Sequence, residues 1–543
     1  MSTPIDDLRA AVEAAAADLR DGGSAPAVTP TLERPRQAGF GDYSTNAAML
    51  LAPALKASPR EIAERLGEAL QARLGERVDR VEVAGPGFLN VFLADAWHIA
   101  AAEHVLAAGD AWGGGGAASP ERVLVEFVSA NPTGPLTAAS GRHAAYGDGL
   151  ARLLAFHGHE VAREYYFNDA GSQLIKLGLS IQARARGEAP PEDGYQGEYV
   201  AELAAELPGA AERDPEELAA EGGRLLIGRI QATLERYRVE FDRWFSELSL
   251  HEGESSAIGR ALRRAKEDGH SYESEGAVWL RTTTFGDEKD RVIVRETGAP
   301  TYFAADLAYL EDKLDRGYDR LITPLGADHH GYVARMKAAM AAAGADPERM
   351  EIPLLQFVHV VERGERASMS KRRGDFVTLD DLLDEIGVDA ARFFMLQRSH
   401  DSTIDLDLDL ARAESSENPV YYVQYAHARI ASVLRKAGDE RVAEALEAAS
   451  EGLELHAAER ELIKKLLAFP AEVAEAADRR APHRIAVYAL ELAQTFTAFY
   501  RDCQVVGVEP RDVESFRIGI SVASRRTIAR ALGLLGVSAP ETM

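Results

Sequence analysis

Side chains in two distant segments have the types and spacing to hold a cation. Glu126, Ser129 and Asn131 fall within one short stretch, and Tyr302 and Asp306 stand four apart, so on a helix they share a face. His329 joins them from a later loop. The two carboxylates, Glu126 and Asp306, suit a planar cation held by bidentate hydrogen bonds and favour it over neutral isosteres. A second candidate is the run Ala367-Ser368-Met369-Ser370-Lys371-Arg372-Arg373-Gly374. A basic loop of this kind can close on a triphosphate, with Lys371 as a point charge and Ser370 beside it. A third is Thr137-Ala138-Ala139-Ser140-Gly141-Arg142-His143, with hydroxyl donors at a helix start and His143 a turn after Ser140. On a C-terminal amphipathic segment, Tyr425 and Arg429 share a face beside Tyr421 and Tyr422 and can stack on splayed bases. Asp328-His329-His330 lacks the spacing of a closed metal site, so no protein-bound structural metal is expected.

The elements that must position these groups follow from periodicity. Residues 123–128 form a β-branched and aromatic run that reads as a buried parallel strand. Two prolines and a glycine break it over 129–135, and a helix runs from about 140 to 157. Strand, tight loop and helix in that order put a helix N-terminus at a sheet's carboxyl edge, where anions and nucleotides bind. A second strand (161–167) and a helix follow; residues 187–260 then read as an Ala/Glu-rich helical insertion. The fold resumes with strands at 276–281, 292–294, 321–322 and 352–361, and helices at 300–316 and about 331–343. From 379 onward the pattern is helical almost to the end, which predicts a bundle. Before all this, residues 1–108 read as a small α/β unit, and 109–116, with four consecutive glycines, as a flexible linker.

Composition bounds the class. A chain of 543 residues is too long for one core, and 46% apolar residues are ample for burial. The single cysteine, Cys503, excludes internal disulfides and multi-cysteine zinc sites and fits a reducing compartment. The acidic amphipathic N-terminus does not read as a signal peptide, and no apolar run is long enough to span a bilayer, so a cytoplasmic, membrane-free, monomeric protein is expected. A net charge of −26 counts against nucleic acid as a partner unless a local basic path serves it.

The stretch from Glu126 to Arg142 resembles the first half of a class I aminoacyl-tRNA synthetase active site, and specifically that of arginyl-tRNA synthetases. The family's run EFVSANPTGPLHVGHGR is matched from Glu126 to Leu136 and again at Gly141-Arg142. Thr137-Ala138-Ala139-Ser140 stands where the family has its His-x-Gly-His signature. Further resemblances are REYYFNDAGSQ, the loop holding Lys371, ENPVYYVQYAHARI and the ending LGLLGVSAPETM. The resemblance implies an α/β fold: a Rossmann-like catalytic domain (117–400), a small α/β N-terminal domain (1–110) and an all-α C-terminal bundle (405–543).

It also implies an activity, ATP-dependent activation of arginine and its transfer to tRNA(Arg), with Mg2+ carried by the ATP. By resemblance Asn131, Tyr302 and Asp306 line the arginine pocket, Glu126 and Ser129 hold the amino-acid end, and His329 stands nearby. Thr137, Ala139, Ser140, Gly141, Ser370 and Lys371 fall at ATP-binding positions. Of these, Thr137, Ser140 and Lys371 take the catalytic places. Phe88, Asn90, Tyr425, Arg429 and Met543 fall at tRNA-contacting positions. Thr137 and Ser140 keep hydroxyl donors but cannot be cationic, and Ala139 adds a methyl where adenine lies flat in the family. Two readings therefore stand: a ligase that tolerates the altered signature, or an impaired or repurposed relative that binds tRNA or arginine without efficient adenylation.

Overall fold

A buried apolar strand, β1 (Arg122–Glu126), is the centre of a five-stranded parallel sheet. The computed structural model describes residues 3–20, 29–35, 39–252, 256–366, 377–450 and 452–543. After β1 come α1 (Ala138–His157), β2 (Glu160–Phe167), α2 (Ser172–Ala185), α3 (Glu198–Glu206), α4 (Pro215–Arg236) and β3 (Arg243–Ser246). Then follow α5 (Tyr302–Asp315), β4 (Arg320–Ile322), α6 (His330–Ala342), β5 (Met350–Glu351), β6 (Val358–Glu362), α7 (Leu379–Leu396) and β7 (Ile404–Asp407). The sheet order is β5-β4-β1-β2-β3, all parallel. Strand order reverses between β1 and β4, so a crevice opens at their carboxyl ends, the usual ligand position in a doubly wound sheet.

Several elements differ from expectation. The strand stops at Glu126 because Val128 and Ser129 take positive φ of 66° and 42°. Helix α1 begins at Ala138, two residues earlier than its apolar pattern, because Thr137 caps it. The helical insertion does not reach residue 260: Arg243–Ser246 already pairs with β2 in the central sheet. Helices α2, α3 and α4 bury their own apolar core, with Leu177, Val200, Leu203 and Leu218 fully enclosed. The strands near 277–280 and 291–294 do not join the central sheet; with Ser271–Ser274 they form a separate antiparallel one, since each pairs only with its sequence neighbour.

The C-terminal bundle contains α8 (Pro419–Ala437), α9 (Ala457–Leu467), α10 (Phe469–Asp478), α11 (His483–Asp502) and α12 (Arg511–Leu534). One continuous apolar core joins this bundle to α1, one face of the sheet and the N-terminal α/β unit. The N-terminal unit is a four-stranded antiparallel sheet backed by helices. Among the described residues no helix is long and apolar enough to cross a membrane.

The glycine run is not a flexible linker. Trp112 is buried and its indole N–H donates to the Leu466 carbonyl at 3.1 Å. The Gly115 amide donates to the Phe156 carbonyl at 2.9 Å. A Cβ on Gly113 would lie 2.5 Å from the Phe469 ring, and one on Gly114 would lie 2.8 Å from Phe156. These glycines are there because two aromatic rings leave no room for a side chain. Gly113→Val should therefore destabilise the chain by about 2–4 kcal/mol, through overpacking and a φ of +88°. A thermal unfolding scan checks this, and an unchanged Tm would restore the flexible-linker view.

Candidate active site

Three carboxylates converge on the crevice, and they are not equivalent. Glu126, at the end of β1, is 8% exposed. It accepts from Lys313 Nζ at 2.5 Å, from Ser129 Oγ at 3.1 Å and from Thr323 Oγ1 at 3.4 Å. Lys313 is itself buried on α5 and lies 4.0 Å from the centre of the Tyr309 ring. The expected pair of uncompensated charges at Glu126 and Asp306 is therefore corrected: Lys313 neutralises Glu126. A buried ion pair of this geometry is stable only because its remaining hydrogen bonds are made as well.

The carboxylate that accompanies Asp306 is one that sequence reasoning missed. Glu247, just after β3, is buried and accepts from the Tyr166 hydroxyl at 2.5 Å. Burial raises its pKa against the pull of Tyr166 and His251. Asp306 accepts from the Tyr332 hydroxyl. Its pKa is pushed up to about 6 by burial first, then by the charges of Glu247 and Glu126. Two carboxylates in mutual repulsion, poorly hydrated, make a site that a bound cation would relieve.

Tyr302 lies one turn before Asp306 and is 54% exposed, with its hydroxyl 3.5 Å from where a Cβ on Gly171 would stand. Ser129 Oγ accepts from the Tyr166 amide at 3.2 Å, so Glu126, Ser129 and Tyr166 interlock. Asn131 is exposed, and its amide donates to Gln173 Oε1 at 2.9 Å. His329 is exposed, 3.6 Å from Asp328. Glu126, Ser129 and Asp306 thus share one crevice; Asn131 stands on its rim, tied to α2.

The segment 137–140 is a capping box. Thr137 Oγ1 accepts from the Ser140 amide at 3.3 Å, and Ser140 Oγ accepts from the Thr137 amide at 3.4 Å. The two hydroxyls lie 3.2 Å apart. Both side chains therefore close the helix end, a role their sequence reading as phosphate donors did not include. The Ala138 amide donates to the Val377 carbonyl at 3.1 Å, while Ala139 is exposed and Gly141 buried against Leu379. Burial first, then the Arg142 charge, lowers the His143 pKa to about 4, and its ring hydrogen-bonds the Pro324 backbone. Arg142 is buried and donates to five carbonyls, among them Gln356 at 2.6 Å, Ser399 at 2.9 Å and Ser402 at 2.8 Å. Ser370 and Lys371 lie outside the described residues. Among the described residues no group of three or more His, Cys, Asp or Glu could hold a metal ion.

Away from the crevice, Tyr421 and Tyr425 stack with centroids 6.1 Å apart and planes 7° from parallel. The Arg429 guanidinium carbon lies 4.7 Å from the Tyr425 ring centre and 5.7 Å from that of Tyr500, a residue of α11 that sequence spacing could not connect. Tyr425, Tyr500 and Met543 are exposed. Phe88 is exposed at the start of its strand; Asn90, on the same sheet face, is buried, because both neighbouring strands pair with it.

Family models match along the chain: an arginyl tRNA synthetase N terminal domain at residues 6–93, a tRNA synthetases class I (R) catalytic domain at 214–431 and a DALR anticodon binding domain at 423–543. The arginine–tRNA ligase of Frankia alni is 46% identical over 556 aligned residues, covering 100% of both chains. That of Geobacillus thermodenitrificans is 46% identical over 528, covering 94% of each. In fold, the chain is similar to the Thermus thermophilus arginyl-tRNA synthetase (TM-score 0.77, 24% identity, 99% of both chains). It is also similar to that of Plasmodium falciparum (TM-score 0.74, 15% identity, 100% of both).

The raised Asp306 pKa has a consequence for stability. Below 3.8 both folded and unfolded chains hold the proton, and between 3.8 and about 6 only the folded chain does. Stability from this group is thus present at low pH and lost as pH rises through about 6. Asp306→Asn should raise stability at pH 8 by roughly 1–3 kcal/mol and leave it nearly unchanged at pH 4. Tm measured across that range decides it; an equal gain at both pH values would refute the raised pKa.

Proposed function

The chain belongs to the arginyl-tRNA synthetase family and joins arginine to tRNA using ATP, and we propose how its residues divide that work. Asp306 and Glu247 take the guanidinium group, with Tyr302 lying over it. The observation that carries this reading is the convergence of Asp306 and Glu247, both with raised pKa, beside the carboxyl ends of the central sheet, where the charge of Glu247 helps to raise Asp306. Asn131 lines the arginine pocket with them, Ser129 and Glu126 hold the amino-acid end, where Lys313 pairs with and orients Glu126, and His329 borders the entrance. ATP lies along Ala139 and Gly141 at the N-terminus of α1, whose dipole and amides favour its phosphates. Thr137 and Ser140 shape that terminus and offer hydroxyl donors, and Ser370 and Lys371 meet the triphosphate. Mg2+ arrives with the nucleotide.

In the first step the arginine carboxylate attacks the α-phosphorus of ATP, giving arginyl-adenylate and pyrophosphate. A ribose hydroxyl of the terminal adenosine of tRNA then attacks the activated carbonyl and AMP leaves. Little of this calls for covalent chemistry by the protein; alignment of the reactants and stabilisation of developing phosphate charge do most of it. The N-terminal unit (1–110), with Phe88 at its surface, faces the tRNA elbow. The catalytic unit spans 117–400. The bundle (405–543) takes the anticodon through Tyr425, Arg429, Tyr500 and Met543, a stacked and cationic surface suited to unpaired bases. The full-length likeness to arginine–tRNA ligases lends no support to a relative that merely binds tRNA or arginine.

Arginine-dependent charging of total tRNA tests the assignment. Asp306→Ala should lower kcat/KM for arginine by about 10²–10³-fold, the cost of removing one member of a buried charge pair. Glu247→Gln should raise the arginine KM by a similar factor. If it leaves KM unchanged, the second guanidinium partner is elsewhere. Thr137→His/Ala139→Gly/Ser140→His should speed adenylate formation by about 10²-fold or more, since each oriented donor contributes about that much. It should also lower Tm, because the capping box is lost. Slower adenylate formation would show that this chain works best with its own segment.

A further inference from the structure

The loop that carries Asn131 is gripped from outside the sheet by the helical insertion. Within the loop, Val128 and Ser129 hold positive φ, a costly conformation for residues with side chains. Such a loop keeps its shape only where its surroundings over-determine it. From below, the Tyr165 hydroxyl receives the Ala130 amide at 3.1 Å and donates to the Ala130 carbonyl at 2.9 Å. From α2, Gln173 accepts from Asn131, and from the insertion the Tyr199 hydroxyl on α3 donates to the Thr133 carbonyl at 2.7 Å.

Tyr199 belongs to the run Tyr195-Gln196-Gly197-Glu198-Tyr199, and two glycines make room for its ring. A Cβ on Gly197 would stand 2.5 Å from the ring's Cε1, and one on Gly134 would stand 3.1 Å from the hydroxyl oxygen. Its chain neighbour Val200 is fully buried in the insertion's separate core. The ring is thus fixed at its base by one packed unit and presents its hydroxyl to another.

We propose that Tyr199 is a positioning residue for arginine, holding the 129–135 loop, and Asn131 with it, in the binding geometry. This rests on the reading that Asn131 meets arginine. The insertion then acts as a brace on the amino-acid site rather than as a surface ornament.

The test is steady-state charging of tRNA with labelled arginine by the full chain carrying Tyr199→Phe, Asn131→Ala or both, with Tm measured for each. Tyr199→Phe keeps the ring and removes one hydrogen bond, so the arginine KM should rise about 3- to 10-fold. The kcat, the KM for ATP and Tm should stay close to the parent's. Asn131→Ala should raise the arginine KM further, and the double variant should match Asn131→Ala alone, because Tyr199 acts through that residue. An arginine KM unmoved by Tyr199→Phe but raised by Asn131→Ala overturns the brace and leaves the site reading intact. An arginine KM unmoved by Asn131→Ala overturns the site reading itself. A KM for ATP that rises in step, or additive effects in the double variant, would assign Tyr199 a general structural role and overturn the proposal.

Discussion

Three acidic side chains at one sheet edge with a single buried cation among them is the constraint from which the rest of the molecule follows. Lys313 faces Glu126, while Asp306 accepts from Tyr332 and Glu247 from Tyr166, with Arg335 and His251 drawing their pKa values only part of the way back. A hydroxyl stabilises a carboxylate by one hydrogen bond but brings no charge, so the field of the neighbours persists. Part of the interior is thus under electrostatic tension that a bound cation would relieve. On the proposed reading that this cation is a guanidinium, the selectivity of the site and its destabilising contribution to the free protein share one cause.

That tension is tolerable because the elements around it are rigid. β1 and β4 run side by side at the centre of the sheet, and Thr323, at the end of β4, reaches back to Glu126. Helix α1 is buried along nearly its whole length between the sheet and the bundle, and its Tyr146 hydroxyl donates to the Arg480 carbonyl at 2.8 Å. Arg480 in turn meets Glu351 of β5 with both nitrogens, at 2.7 and 2.9 Å. The bundle therefore holds both helix α1 and the β5 edge of the central sheet. Substrate geometry in such an arrangement is a property of the assembled chain, more than of the catalytic unit alone.

What the sequence made legible, and what it hid, has a physical pattern. Tyr302 and Asp306 could be paired on sight because a helix turns 3.6 residues, and β1 announced itself by an apolar run before a proline-rich break. Lys313 gave no signal: in YLEDKLD it looks like a solvated helix charge, and only the crossing of α5 over β1 turns it inward. Glu247 was hidden for the same reason, its burial being decided by α5 and Tyr166, which arrive from other parts of the chain. The glycine run misled because composition equates glycine with freedom, whereas Phe469 and Phe156 make it a matter of clearance. The burial of Asn90 could not be read from its neighbours, because strand pairing on both sides is a tertiary fact.

The segment 137–140 shows how one site can serve two demands. Where the family resemblance implies two histidines and a glycine, the positions are filled here by residues that terminate a helix well. A capping box satisfies amides that would otherwise need water or a ligand, and it contributes about 1 kcal/mol to the helix. Thr137 and Ser140 therefore contribute stability to the resting fold. On the proposed placement of the nucleotide at this terminus, the amides and dipole of α1 are retained, while the hydroxyls bring no cationic charge. The dipole of a 20-residue helix still supplies positive potential at its N-terminus. On this proposal the loss of two cationic donors would be graded, since the carboxylates beside β1 and α5 and the aromatic surface of α8 are built independently of the capping box.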